Sequence, residues 1–317
     1  MQALWLENNQ ISIRDIPVPA PPANEALIRV RLAGICATDL ELVKGYYPYT
    51  GVLGHEFVGE IVEAPGAPER VGQRVVGVIN AVCGFCETCK LGNPTHCENR
   101  TVLGIVNRNG VFAEYTVLPL ENLHPVPASI PDETAVFTEP LAAALEIQEQ
   151  VLIKPTDQVL VVGAGRLGQL IAYTLKLTGC ALQVVARHDS QRKLLGAVGI
   201  PWLGEDEVPE RKMDMVVEAT GSPAGFALAR KAVRPRGTIV LKSTYAGKLE
   251  VDFSAVVVDE ITLVGSRCGP FAPALRVMRE EMVDPCPLIN ANYPLREGIA
   301  AFERASQPGV FKVLVQP

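Results

Sequence analysis

Four cysteines, Cys83, Cys86, Cys89 and Cys97, are separated by two, two and seven residues in the segment CGFCETCKLGNPTHC. The segment is dense in Gly, Pro, Asn and Thr and cannot bury much apolar surface, so a cross-link must organise it. Four thiolates satisfy tetrahedral zinc and leave no open position, which marks a structural rather than a catalytic site. An iron–sulfur cluster is the weaker alternative, because the spacing suits zinc better. Disulfides or idle thiols fit neither the spacing nor a reducing compartment. His96, next to Cys97, reads as a surface residue.

A second set of residues is less conspicuous. GICATDLE carries Cys36, Thr38 and Asp39, GHEFVGE carries His55 and Glu56, and TEPLAAAL carries Glu139. Thiol, imidazole and carboxylate are all donors that zinc accepts. A third set is built for phosphate. VLVVGAGRLGQLIAYTLKL places Gly163, Gly165 and Gly168, with Arg166 and Leu167 between them, after an apolar strand and at the opening of a helix. The glycines permit a tight turn, close approach of backbone to a pyrophosphate and close helix packing, and the helix N-terminus adds a partial positive charge. At the end of the next strand, where an acid would hold the 2′-hydroxyl of NAD, stand Ala186, Arg187 and His188, with Asp189 close by. A small residue followed by Arg suits the 2′-phosphate of NADP, so NADP(H) is expected in preference to NAD(H).

These residues need elements to hold them. Up to about residue 130 the chain runs in short strand-like pieces, such as 26–31, 59–63 and 73–78, between Pro and Gly clusters, and residues 1–15 alternate like a strand. From residue 142 helical patterns alternate with apolar runs at 159–162, 182–186, 215–219 and 238–241, which implies a parallel sheet. Between Lys193 and Glu218 there is room for one strand but hardly for an additional helix. A helix at 272–281 and a strand at 310–315 are assigned back to the first domain.

A length of 317 residues predicts two domains. The formal charge of −6 is spread along the chain and opposes binding to nucleic acid or anionic membranes. The lobe's cations, Lys90 and nearby Arg100, are too few for a phosphate footprint, which weighs against a zinc-lobe binding protein without catalytic function. The start lacks the features of a signal peptide, and no apolar run approaches a bilayer span, so a cytoplasmic protein is expected. Cys180, Cys268 and Cys286 have no ligand spacing and are expected to be buried thiols, with His124 of similar status.

Together with VGQRVV and GVFAEY, these motifs resemble, in order and over essentially the whole chain, the zinc-dependent medium-chain dehydrogenases of the alcohol and polyol dehydrogenase family. The resemblance implies an α/β architecture, a GroES-like β-rich catalytic domain at 1–140 and 269–317 with the zinc lobe, and a Rossmann doubly wound cofactor domain at 141–268. It implies that Cys36, His55 and Glu139 hold a catalytic zinc, with Glu56 an alternate ligand. Asp39 would orient the His55 imidazole. Such a zinc keeps a position for a substrate oxygen, polarises a carbonyl and lowers the pKa of a bound alcohol. Thr38 matches the hydroxyl that starts the proton relay; Glu41 stands where many relatives carry a relay histidine.

The same likeness puts Thr220 and Gly221 near adenosine, and Ser266 and Arg267 near the nicotinamide. Two zinc ions are expected, one catalytic and one structural. The leading expectation is an NADP(H)-linked alcohol dehydrogenase or aldehyde reductase for small or aromatic alcohols, with Tyr46, Tyr47 and Tyr49 read either as pocket lining or as surface loop residues. The alternative, favoured by Glu139, is an NAD-dependent polyol, sugar or threonine-type dehydrogenase. A homo-oligomer, dimer over tetramer, is expected through the edge strand 261–265.

Overall fold

The alternating stretch at the start is two strands. Gln2–Glu7 and Gln10–Asp15 pair antiparallel with Leu4 opposite Ile13, because Asn8 and Asn9 between them take positive φ of 49° and 61°, the two-residue hairpin turn that Asn tolerates. The computed structural model describes residues 1–245 and 248–317. By chain contacts it falls into two units, Met1–Glu139 with Phe271–Pro317, and Pro140–Pro270.

In the first unit, Leu123–Pro125, Arg74–Gly77, Glu56–Glu63, Glu25–Gly34, Lys312–Gln316 and Ile289–Pro294 lie side by side in that order, and Tyr115–Pro119 also pairs with Glu25–Gly34. The central strand Glu25–Gly34 is flanked by two others near its end. Gly34 is opposite Glu56 on one side and Leu314 on the other. Inward-facing residues including Ile28, Val30, Phe57, Ile61 and Leu118 form the core of this unit, closed by Phe112 and Phe302. Those two rings meet edge to face with centroids 5.6 Å apart, the arrangement aromatic quadrupoles prefer.

In the second unit six strands are all parallel, in the order Trp202–Leu203, Ala181–Val185, Gln158–Val162, Met213–Glu218, Val233–Leu241, Thr262–Gly265. The chain starts in the middle, moves out to one edge, then returns past its starting strand to build toward the other. That reversal puts a switch point between Gln158–Val162 and Met213–Glu218, and such a sheet receives ligands beyond the carboxyl ends of the strands there. Val159, Leu160 and Val161 are fully buried, as expected of a strand covered on both faces. The expected shortage of room shows at one edge of the sheet: Trp202–Leu203 has two residues, and among the described residues no helix lies between it and Met213–Glu218. No helix among them is long and apolar enough to cross a membrane.

Candidate active site

The strand register of the first unit assembles the site. Just past Gly34 the chain turns into the short helix Ala37–Val43, with Cys36 at its N-cap. The main-chain N–H of Cys36 donates to Oδ2 of Asp39 at 2.8 Å, which fixes the turn. Glu56 opens the neighbouring strand opposite Gly34, and His55 immediately precedes it. Donor atoms of Cys36, His55 and Glu56 all lie within 4.8 Å of one another. Behind them Asp39 is fully buried, and its Oδ1 faces Nδ1 of His55 at 3.3 Å, each atom having no hydrogen-bond partner of normal geometry. Burial alone would lower the pKa of the imidazole, but the charges of Asp39 and Cys36 reverse this and hold His55 well above its ordinary value.

Glu56 has a partner that the sequence did not reveal. The ammonium of Lys312, on the returning strand Lys312–Gln316, donates to Oε2 of Glu56, and both side chains are almost fully buried. The pair passes so close to Gly34 that a Cβ there would stand 2.6 Å from Oε2 of Glu56. The one signal for Lys312 is a charge inside the apolar run FKVLV. Thr38 Oγ1 is 3.8 Å from the Cys36 sulfur. Glu139 lies in the first turn of Thr138–Gln150, and the group of three does not include it.

Glu41 points to solvent in an ion pair with Lys44 at 2.7 Å. Tyr49 is a structural tie, its hydroxyl donating to the carbonyls of Val52 and Arg108 at 2.7 and 3.0 Å; Tyr46 and Tyr47 are exposed.

The four sulfurs of Cys83, Cys86, Cys89 and Cys97 also lie within 4.8 Å of one another. Main-chain N–H groups point at them, from Cys83 to the Cys97 sulfur and from Cys86 to the Cys83 sulfur, each at 3.4 Å. A backbone hydrogen bond from Phe85 leads the set of contacts that hold Cys83 at about 6. Among the eight cysteines there is no disulfide. Cys180, Cys268 and Cys286 are half-buried rather than buried: Cys180 stands just before the strand Ala181–Val185, and Cys286 opens a short turn against the Thr134 hydroxyl at 3.2 Å. His96 is exposed. His124 stacks on Phe271 with centroids 5.5 Å apart.

In the second unit, Gly163 takes φ of 105°, and a Cβ on Gly168 would lie 1.9 Å from the Gly163 carbonyl oxygen. A Cβ on Gly165, the N-cap of Arg166–Lys176, would meet open space, which leaves room for a ligand phosphate over the helix N-terminus. Ala186 is fully buried, while Arg187 and His188 are exposed. Glu205, in the loop after Trp202–Leu203, accepts a hydrogen bond from Arg187.

Thr220 and Gly221 form a turn held by the fully buried Glu218, whose carboxylate accepts from Thr220 N–H at 2.7 Å and from the Tyr245 hydroxyl at 2.7 Å. Ser266, just past Thr262–Gly265, accepts from the buried Lys242 ammonium at 2.9 Å. Arg267 makes a long contact with the Cys268 sulfur at 3.7 Å.

Residues 22–128 match the alcohol dehydrogenase GroES-like domain, and residues 132–316 match the glucose dehydrogenase C-terminus. The chain is 29% identical to a sorbitol dehydrogenase of Halalkalibacterium halodurans, over 96% of this chain and 95% of that protein. Among solved structures it is similar to a protein of Sinorhizobium meliloti 1021, described as a zinc-binding dehydrogenase and bound to NADP. The TM-score is 0.92 and the identity 27%, over 100% of this chain and 99% of that one. It is equally similar to an alcohol dehydrogenase of Escherichia coli CFT073 in complex with NADH, with TM-score 0.92 and 28% identity over the same shares.

A β-rich unit with thiol, imidazole and carboxylate donors, and a parallel-sheet unit with a dinucleotide turn, define a nicotinamide-dependent oxidoreductase. The chain belongs to the zinc-type medium-chain alcohol and polyol dehydrogenases, which act on the hydroxyl groups of small molecules.

Proposed function

We propose that the protein is a zinc-dependent, NADP(H)-linked dehydrogenase that interconverts the hydroxyl and carbonyl forms of a small alcohol. The observation that carries this reading is the convergence of Cys36, His55 and Glu56 within 4.8 Å, backed by the buried Asp39. The donor set fits zinc, and the approach of Asp39 to Nδ1 of His55 leaves Nε2 as the ring atom for a metal. When bound, zinc supplies Lewis acidity to a substrate oxygen. The chain's own residues do the rest: Thr38 hydrogen-bonds the substrate oxygen, and Asp39 keeps the imidazole in one orientation. Glu41, held at the surface by Lys44, receives the proton only through water. Glu139 is the alternative acid to Glu56, and the cysteine lobe takes a second, structural zinc. Metal analysis and assay test this together: two zinc ions per chain with NADPH-linked turnover are expected, and one zinc without turnover would refute it.

For the cofactor, Gly163, Gly165, Arg166, Leu167 and Gly168 receive the pyrophosphate, and Thr220 and Gly221 lie toward adenosine. Ser266 and Arg267 lie toward the nicotinamide. Ala186, Arg187 and His188 receive the phosphorylated ribose. A kcat/KM that favours NADPH over NADH is expected, and Arg187→Ala should erase the preference; an NADH preference would sink the NADP(H) assignment.

A second reading, an NAD-linked polyol or threonine-type dehydrogenase, is favoured by the sorbitol dehydrogenase relative and the NADH-bound neighbour. Turnover of sorbitol, threonine, glucose and benzaldehyde at fixed cofactor separates the two, and aldehyde reduction with NADPH supports the first. The free thiols suit the cytoplasm. The edge strand Thr262–Gly265 is the proposed pairing surface for a dimer, which light scattering would weigh.

A further inference from the structure

At the carboxyl end of Ala181–Val185 the structure places two arginines with different freedom. Arg192 is committed: its Nε donates to the carbonyl of Ala186 at 3.1 Å, and its guanidinium lies 4.6 Å from the ring centre of Trp202. Arg187 is fixed only through its backbone, its N–H and that of His188 donating to Oε1 of Gln191 at 3.0 and 3.1 Å. Its side chain is 55% exposed and is held by Glu205, itself 47% exposed. Turning that side chain therefore disturbs no main-chain bond.

We propose that Glu205 sets the cofactor preference, holding the Arg187 guanidinium that a 2′-phosphate needs and opposing that phosphate with its own charge. The proposal rests on the reading of Ala186 and Arg187 as the ribose end of the cofactor site. An exposed ion pair is weak, so a phosphate dianion forming bidentate, charge-assisted bonds can take Arg187 over. Glu205 is then left unpaired beside a dianion, and the like charges repel. A ribose with a free 2′-hydroxyl meets no such conflict. Arg187 thus draws the phosphorylated cofactor, and Glu205 limits how strongly it is preferred.

The test uses the full chain with Glu205→Gln, an exposed and isosteric change, titrated with 2′,5′-ADP and with ADP, alongside kcat/KM for NADPH and NADH. Removing one opposing charge should raise binding of 2′,5′-ADP relative to ADP about three- to tenfold. The gain should shrink at high salt, because exposed charges are screened. Asp206→Asn is the control, since it removes the same charge one residue away from a side chain with no ion pair among the described residues.

An unchanged ratio in Glu205→Gln, or an equal rise in Asp206→Asn, overturns the proposal. Failure of both nucleotides to bind overturns the ribose-site reading and this inference with it. The two readings fail separately. A wild-type preference for NADH with a ratio that still rises in Glu205→Gln refutes the NADP(H) assignment and supports this one. A wild-type preference for NADPH with no response refutes this one alone.

Discussion

Lys312 and Glu56 meet where a charge left alone is costly, their side chains 5% and 1% exposed and the ammonium 5.3 Å from the ring centre of Phe137. Lys312→Met leaves a buried carboxylate without its cation and should destabilise the metal-free protein by about 3–5 kcal/mol, read from urea unfolding. A Glu56→Gln, Lys312→Met double variant should recover much of that loss; equal destabilisation of the single and double variants would show that the pair is not the cause. The two carboxylates can be separated in the same way. Glu56→Gln should lower bound zinc more than Glu139→Gln, measured as metal per chain after dialysis, and the reverse order would restore Glu139 to the resting ligand set.

The side chains that the fold brings together were legible, because Cys36, Asp39, His55 and the four-cysteine run stand in local motifs whose types and spacing carry the proposed chemistry. Lys312 was not, because its partner lies 256 residues away and one lysine in an apolar strand announces no role. Glu205 escaped for a related reason. It reaches Arg187 from the loop after the following strand, 18 residues away, and no local motif links the two.

Among elements, Gln158–Val162 and Ala181–Val185 could be read to within a residue, since burial on both faces leaves an apolar run, whereas Val233–Leu241 was seen only in its last four residues because Arg234, Pro235, Arg236 and Gly237 interrupt the run, and the two-residue Trp202–Leu203 was not seen at all. The opening hairpin could not be read, because Asn8 and Asn9 turn the chain within an alternation that continues on either side. The role of Tyr49 as a tie was not legible, because its hydroxyl partners are the main-chain carbonyls of Val52 and Arg108, which a sequence does not display.

The helix Phe253–Val258 is tied down at its end by Asp259, which accepts from Arg211 at 2.8 Å by both oxygens and also from Arg230. Hydrogen bonds from these two guanidiniums hold Asp259 at about 2, below the ordinary value of 3.8. A carboxylate with a depressed folded pKa adds stability that is complete above its unfolded value and disappears as the pH falls through the folded one. The tie should therefore hold above about pH 4 and be lost toward pH 2. Asp259→Asn should flatten that part of the unfolding profile, and an unaltered acid limb would disprove the clamp. In the cysteine lobe, which has few apolar residues to bury, Cys89→Ser should expose residues 84–99 to proteolysis and lower the midpoint of thermal unfolding. Resistance equal to the wild type would argue against a metal there.

For the whole molecule, a ligand that binds only the folded form stabilises it by about 2.7 kcal/mol at one hundred times its dissociation constant. NADPH at that excess should raise the thermal midpoint, and NADH at the same concentration should raise it less if the proposed preference holds. The division into two units was visible in the change from short strands to helix–strand alternation, but the position of the last strand within the first sheet was not, because pairing partners so distant leave no local pattern.

That position bears on the order of events during synthesis. Leu314 pairs with Gly34, 280 residues earlier, so the sheet around Cys36, His55 and Glu56 has a gap until the ribosome has made nearly everything that separates them. Residues 140–270 form a continuous stretch whose six strands all lie within it and can close on themselves first. Cys36, His55 and Glu56 are thus made long before they are enclosed, and for that interval the Cys36 thiol stays open to whatever metal or oxidant the surroundings offer.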